Sequence, residues 1–512
     1  METMQKLETL IRANTPVIAI NSAEEKRVLG EINVMCQEQN KRMLVWSVAL
    51  GFRQVLPSLG EYQKAPDPLA AIVRAISEAQ VANPAPTVWV FNDLHQFAKN
   101  PAIMRAIRDF NGVVSGQVKG VNMILLGAHI EVPEDANKDV TLLEFPLPDV
   151  AALGEQVEAF ITRLPKEIKV NLNGGRARLI SALKGLTKAE ADSVLSQAVV
   201  THRILDERAI AFVLEMKAQI IKASGALEYY AEKASYDQIG GLDLLKGWAR
   251  QAEDAITPEA KEFGVEAPKG CLLVGVPGCG KSLTAKAIAG SNRPLLRLDI
   301  GALFGGLVGQ SEQQTRAALK ICEAVAPCVL WIDEIEKGLG GNGGELNGGV
   351  SDRVLGTILT WMQEVQADVF IVATANDVSG IRPELIRRFP VKFFVDLPNA
   401  DERAQILAIH LGKRKRQATA FDLDAVVSAT VGFTGSELEE IVQGALMRAF
   451  SRQAADVSTA DLLAVVAQTV PLSATMAEKI AEMRRWSERA RPASSKQASG
   501  HQAEAPLSVL EL

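Results

Sequence analysis

A surplus of basic residues is the first thing this chain lacks: 55 Lys and Arg stand against 61 Asp and Glu in 512 residues, a formal net charge of −6. Attraction to a nucleic-acid backbone or an anionic membrane needs a basic face, so the balance disfavours both as general partners. The compact basic run Lys413-Arg414-Lys415-Arg416 reads as the solvated end of a helix. Cysteine is scarce as well. Cys36, Cys271, Cys279, Cys322 and Cys328 have neither zinc-site spacing nor the density of a disulfide scaffold, which implies a reducing compartment. The five histidines include no His-Glu-x-x-His, which excludes that metalloprotease pattern. No segment approaches the length of a membrane span, and Met1 to Ile20 carries neither a long apolar core nor a cleavage site, so the expectation is a cytoplasmic protein without a membrane segment. Core-forming material, by contrast, is ample: 47% of residues are hydrophobic, and the length predicts two to four domains.

What the chain does have is GVPGCGKS, from Gly275 to Ser282. The apolar run Cys271-Leu272-Leu273-Val274 ahead of it reads as a buried strand, and Leu283 to Ala289 behind it as a helix. Strand, glycine loop and helix make a phosphate-binding loop. Gly275, Gly278 and Gly280 let main-chain N–H groups close around phosphates, Lys281 supplies a cation for the β and γ groups, and Ser282 can ligate Mg²⁺. Cys279 lies inside this loop, where nearby N–H groups and Lys281 should favour a thiolate, although a small side chain that simply fits is the blander reading.

Further along, Val329-Leu330-Trp331-Ile332 reads as a buried strand ending in Asp333-Glu334. Asp333 is placed to hold the Mg²⁺ shell and Glu334 to polarise an attacking water. A third strand, Val369 to Ala373, runs into Thr374-Ala375-Asn376, which makes Asn376 a candidate sensor, placed to orient the water or the γ-phosphate. Glu384 to Phe389 precedes a fourth strand, Val391 to Asp396, and offers Arg387 and Arg388 as arginine fingers for a neighbouring subunit. The sequence does not assign the role to one of the two.

Taken in this order, the elements resemble the AAA family of ring ATPases over Tyr236 to Phe450. Ile239-Gly240-Gly241-Leu242 matches the adenine-side loop, Val308-Gly309-Gln310-Ser311-Glu312 the segment around the first pore loop, and Gly432-Phe433-Thr434-Gly435-Ser436-Glu437-Leu438 the lid motif. The resemblance implies ATP and Mg²⁺ as cofactors, a homo-oligomeric ring with a hexamer favoured, and Gly240, Pro277, Cys279, Leu283 and Gly435 as nucleotide contacts beside the loop residues above. Pro471 to Thr475 and the Arg484-Arg485-Trp486 to Arg491-Pro492-Ala493-Ser494 stretch look like the hypothetical-reading-frame AAA ATPases of chloroplasts and cyanobacteria, which would place a plastid-encoded member in the stroma. Three features depart from the family pattern. Leu307, after Gly305 and Gly306, stands where protein-threading members carry an aromatic; the finger segment is short; and Ser436 stands where some relatives have an arginine. The glycine-rich stretch from Gly340 to Gly349 reads either as the second pore loop or as a surface loop.

Ahead of residue 235 there is no second phosphate loop, yet the order of elements repeats. The strand Pro16 to Ile20 leads into Asn21 to Arg27, where Glu24 and Glu25 occupy the place of a glycine cradle. Thr87 to Asn92, ending near Asp93, and Met123 to Leu126, ending in Gly127-Ala128-His129, correspond to the carboxylate and sensor strands. Gly185-Leu186-Thr187-Lys188-Ala189-Glu190-Ala191 can be laid over Gly432 to Leu438, which sets Val194, Leu195 and Ala198 on Ile441, Val442 and Ala445. The expected fold is therefore α/β, a P-loop doubly wound parallel sheet with a helical lid, preceded by a degenerate AAA-like module; an unrelated α/β recognition domain stays open for the first half. Expected boundaries are 1–150 for the first module, 151–234 for a lid-like helical segment, 235–398 for the ATPase core, 399–475 for its lid, and 476–512 for a C-terminal helix and disordered tail. The expected function is ATP hydrolysis coupled to remodelling of a protein partner. A slow nucleotide-dependent switch is the alternative, and a nucleic-acid motor is disfavoured by the charge balance.

Overall fold

The computed structural model describes residues 2–64, 67–98, 100–128, 130, 138–165, 167–172, 175–223, 225–230, 234–290, 293–303, 310–339 and 348–496. His129, most of the first pore-loop segment with Leu307, most of the glycine-rich stretch after Leu339, and the tail from 497 onward lie outside the described residues. The chain divides into two compact units, Met1–Ile210 and Ala211–Leu512.

In the first unit six strands, β1 (Val17–Asn21), β2 (Arg42–Ser47), β3 (Gly51–Leu56), β4 (Thr87–Asn92), β5 (Val121–Gly127) and β6 (Thr141–Glu144), form one sheet in the order β3-β2-β4-β5-β1-β6. Every neighbouring pair is parallel except β2 with β3. Every residue of β1, β4 and β5 is buried, the signature of parallel strands covered by helices on both faces. One face packs Trp46, Phe52, Trp89 and Phe91 against Ala71, Ile72 and Phe110; the other packs Ile18 and Ile20 against Leu7, Ile11, Val28 and Ile32. The helices of the first face begin on built caps. The side chains of Asp67 and Asn100 accept N–H groups of the first turn, and each is followed by the proline that a first helical position tolerates. A short parallel pair, β7 (Lys169–Val170) and β8 (Ile204–Leu205), lies in the helical part that follows.

The second unit holds β9 (Leu227–Tyr230), β10 (Gly270–Gly275), β11 (Leu295–Leu298), β12 (Cys328–Ile332), β13 (Val369–Ala375), β14 (Val391–Val395) and β15 (Arg491–Pro492), in the order β15-β14-β10-β13-β12-β11-β9. Here only β9 runs antiparallel to its neighbour. Ranked along the chain, the five strands β2-β4-β5-β1-β6 and the five strands β11-β12-β13-β10-β14 follow the same order, second, third, fourth, first, fifth. In each sheet an antiparallel strand, β3 or β9, edges the second.

The helical parts match in detail. Asp149 and Asn399, each after a Leu-Pro pair, cap the first lid helix, Val150–Arg163 or Ala400–Lys413. Gly185 and Gly432 both adopt left-handed backbone, with φ of 83° and 84°. Two residues on, Thr187 and Thr434 open the helices Lys188–His202 and Gly435–Ser451 through complete capping boxes with Glu190 and Glu437. Val194, Leu195 and Ala198 are buried in one helix, as Ile441, Val442 and Ala445 are in the other. The register expected from the sequence is the one the fold adopts.

Two expected edges move. β9 lies in the second sheet, so that unit's sheet begins ahead of residue 235, and the segment 151–234 is not helical throughout. At the other end β15 extends the sheet and Ala493 is 2% exposed, so beyond the C-terminal helix the segment 476–512 adds a strand to the sheet before any tail begins. The physical reason is the same in both places: a strand this short carries no periodic signal of its own and is stabilised by the edge it meets.

Candidate functional site

The site lies at the carboxyl ends of the parallel strands of the second unit, where β10 sits between β13 and β14 and the order of strands reverses. A cavity of about 550 Å³ opens there. The phosphate loop forms one wall, with Pro277, Gly278, Cys279, Gly280, Lys281, Ser282 and Leu283. Gly278 and Gly280 adopt φ of 75° and 89°, which only glycine reaches without strain. Gly275 lies one step below the cavity: its carbonyl accepts Lys281 Nζ at 2.8 Å, and a side chain there would collide with the carbonyl of Val395. Lys281 begins the helix Lys281–Ile288, is 5% exposed, and donates also to the Val276 carbonyl at 2.8 Å. Burial lowers its pKa to about 8.

Asp333, Glu334 and Asn376 face this loop from the ends of β12 and β13. Asp333 Oδ1 accepts from Ser282 Oγ at 3.3 Å and from Thr374 Oγ1 at 2.5 Å. Glu334 has a left-handed φ of 48°, a conformation a non-glycine residue keeps only when its surroundings fix it. They do. Its N–H donates to Thr374 Oγ1 at 3.2 Å, its Oε1 accepts from Asn376 Nδ2 at 3.1 Å, and its Oε2 pairs with Lys337 at 2.6 Å. The Asn376 N–H donates to Glu336 at 3.1 Å, and burial raises the Glu336 pKa.

The remaining walls come from the adenine-side loop and the lid. Gln238, Ile239 and Gly240 face Ile406, Ile409 and His410. Gly240 is required by close packing, because a Cβ there would stand 2.5 Å from Ile406 Cγ1. Gly435 and Ser436 close the cavity over the phosphate loop, where Ser436 N–H donates to the Gly278 carbonyl at 3.0 Å. The one expected cluster that the structure leaves apart is Arg387 with Arg388. Both are exposed at the end of the helix Pro383–Arg388, outside the cavity, and neither pairs with a carboxylate among the described residues.

Of the two readings of Cys279, burial favours the small side chain that simply fits. Cys279 lines the cavity, but its thiol is buried and its pKa is pushed up to about 12, because desolvation outweighs the attraction of Lys281. A reactive thiolate is therefore not part of this site. Sequence reasoning also passed over two residues. Thr374 ties Asp333 to the Glu334 backbone, and its signal was a hydroxyl ending an otherwise apolar strand. Arg297 reaches Asp333 Oδ2 at 3.5 Å and Glu228 at 3.3 Å, and its signal was a lone charge inside Leu295–Leu298.

At the equivalent place in the first unit the loop after β1 carries carboxylates. The Glu24 side chain is buried, pairs with Arg27, and accepts the Lys188 N–H at 2.6 Å; Glu25 accepts from Asn92 Nδ2 at 2.7 Å. Where the second unit has a glycine loop after its first parallel strand, the first unit thus has the protein's own anions.

The donor set of the second-unit cavity suits a nucleoside triphosphate with a hard divalent cation. Oxygen ligands from Ser282 and Asp333 lie side by side, and a buried ammonium held by two main-chain carbonyls stands beside a glycine-lined loop. Fold and site define a P-loop NTPase with a helical lid. Comparisons with known proteins agree: the model described as "ATPase family associated with various cellular activities (AAA)" matches residues 271–397, and the AAA+ lid domain matches 420–464. The N-terminal and second domains of SpoVK-like AAA ATPases match 3–145 and 151–224. The chain belongs to the AAA family, among its ycf46-type AAA domain-containing proteins. It is 34% identical over 492 residues to an "Uncharacterized AAA domain-containing protein ycf46" of Pyropia yezoensis, covering 95% of this chain and 98% of that one. A protein of the same name from Trieres chinensis is 33% identical over 98% of this chain and 100% of its own length. A "Cell division cycle protein 48 homolog" of Archaeoglobus fulgidus is 29% identical over 57% of this chain and 42% of its own. No helix among the described residues is long and apolar enough to cross a membrane.

Proposed function

We propose that the second unit hydrolyses ATP and works in a ring of identical subunits, a hexamer by preference, that remodels a protein partner. The observation that carries this reading is the convergence of Lys281, Ser282, Asp333, Glu334 and Asn376 on one cavity while Arg387 and Arg388 are exposed and do not line it.

In this reading the main-chain N–H groups of the phosphate loop surround the phosphates, and the Lys281 ammonium moves from the Gly275 and Val276 carbonyls toward the β and γ oxygens. Ser282 and Asp333 hold Mg²⁺, which when bound neutralises phosphate charge. Glu334 orients the attacking water and accepts its proton, and Asn376 holds the Glu334 carboxylate by the hydrogen bond it already makes. Gly240, Pro277, Cys279, Leu283 and Gly435 line the nucleotide without chemistry of their own. The exposed Arg387 and Arg388 complete the site of a neighbouring subunit. All five cysteines are free and buried, which supports a reducing compartment, the cytoplasm or, for a plastid-encoded chain, the stroma.

The test separates binding from turnover. Lys281→Ala should abolish ATP binding, whereas Glu334→Gln should retain ATP while turnover falls by about 10²- to 10⁴-fold, the usual contribution of a positioned base. Near-normal hydrolysis by Glu334→Gln would remove this carboxylate from the mechanism.

A further inference from the structure

The Arg491-Pro492-Ala493-Ser494 stretch has no part in the chemistry above, yet it is held on three sides. The helix ahead of it, Ala477–Ser487, is anchored at two loops at the carboxyl ends of the strands, one of which carries the cavity-lining Asn376. Arg484 grips Asp396, directly after β14, with Nε and Nη2 each 3.0 Å from a carboxylate oxygen, and Lys479 pairs with Asp377, next to Asn376, at 2.8 Å. β15 then adds to the sheet edge beside β14. Beyond it the Ala493 N–H donates to the Phe394 carbonyl at 3.1 Å, and the Ala493 carbonyl accepts the Leu245 N–H at 3.0 Å. The Ser495 N–H donates to Asp243 at 2.8 Å, and Lys496 pairs with Asp401.

Ser494 is the centre of this strap. Its hydroxyl donates at 2.5 Å to Glu402 Oε1, a carboxylate 6% exposed on the first lid helix. The same Oε1 accepts the Leu242 N–H at 3.0 Å, and Oε2 accepts the Asn399 N–H at 2.9 Å. Three residues further along the same helix, Gln405 accepts the Gly241 N–H at 2.9 Å. Leu242 has a left-handed φ of 56°, a conformation leucine keeps only when held. The holding groups are Glu402 and Gln405, and the residues beside them, Ile406, Ile409 and His410, line the cavity opposite Ile239 and Gly240.

We propose that the C-terminal strap, residues 490–496, is a built part of the nucleotide site: through Ser494 and Glu402 it fixes the adenine-side loop against the lid, and nucleotide affinity depends on it. The proposal rests on reading the cavity as a nucleotide site. Ser494 touches no nucleotide and is a positioning residue. A hydrogen bond to a charged group shifts an equilibrium by about tenfold or more, and Glu402 keeps its other two donors when Ser494 is lost.

The experiment uses the full chain and ADP in EDTA, so that metal binding plays no part. Ser494→Ala should weaken ADP binding in calorimetry by about three- to tenfold. KM for ATP should rise by the same factor with kcat at saturating ATP unchanged, and Ser494→Thr, which keeps the hydroxyl, should restore both. Linkage supplies a second measurement that needs no variant. If the strap tightens nucleotide, nucleotide must tighten the strap, so ADP should slow amide hydrogen exchange at Ala493 and Ser495 in the wild-type protein. Equal ADP affinity in Ser494→Ala and wild type, a fall in kcat at constant KM, or exchange at these amides indifferent to ADP each overturns the proposal. A wild-type chain that binds no ADP would fail differently, because it removes the nucleotide site itself and the strap's role with it.

Discussion

Lys281 carries an energetic conflict that can be measured. Burial lowers its pKa to about 8 from an ordinary value of 10.5, so between those two pH values the folded chain binds fewer protons than the unfolded one. This group alone therefore makes stability rise with pH across that window, and its full desolvation cost is present below it. Phosphate oxygens favour the ammonium and raise its pKa again. ADP binding is accordingly expected to take up close to one proton at about pH 9, and affinity should fall as pH climbs through about 8. Calorimetry in buffers of different ionisation enthalpy measures this directly. Proton release on binding, or none, would show that Lys281 does not meet the phosphates.

Among elements, the loop after the first strand separates the two modules. In the second unit it is a glycine loop with the buried ammonium of Lys281 behind it; in the first, Glu24 supplies an anion, placed against the N-terminal turn of the helix Lys188–His202. The Glu24 carboxylate thus ties loop to lid without a ligand. A hydrogen-bonded buried charge is worth roughly 2 kcal/mol, so Glu24→Gln should lower the melting temperature of the first unit by about 4–8 °C and speed amide exchange in that helix. Nucleotide should not restore either quantity. An unchanged melting profile would mean that Arg27 and the capping box hold the lid without Glu24.

Activity in the whole molecule is expected to need more than one copy, since the cavity that holds Lys281 and Glu334 contains no arginine from its own finger segment. Arginine supplied from a neighbour contributes about 10³ to 10⁵ in rate, so replacing both Arg387 and Arg388 by Ala should nearly eliminate hydrolysis while ATP affinity is kept. Mixing that variant with Lys281→Ala protein should restore part of the turnover, because a mixed ring pairs an intact cradle with an intact finger. Full-rate hydrolysis at concentrations where sedimentation shows only monomer would end the ring reading.

The sequence by itself determined the elements that repeat a local pattern. GVPGCGKS needs its glycines for left-handed turns, Asp333-Glu334 follows an unbroken apolar strand, and Gly185 to Ala191 can be laid over Gly432 to Leu438 residue by residue, so each was legible at short range. Tertiary structure decided what depends on residues far apart in the chain. Burial, set by neighbours from other strands and the lid, decided between the two readings of Cys279 by pushing its thiol pKa up against the local attraction of Lys281. Thr374 and Arg297 became partners of Asp333 only when β11, β12 and β13 lay side by side. The strap at Ser494 meets Glu402 across 92 positions, and no periodicity along the chain encodes a contact of that range. Local stereochemistry is a property of neighbouring residues, whereas burial and long-range hydrogen bonding exist only once the sheet has brought the segments together.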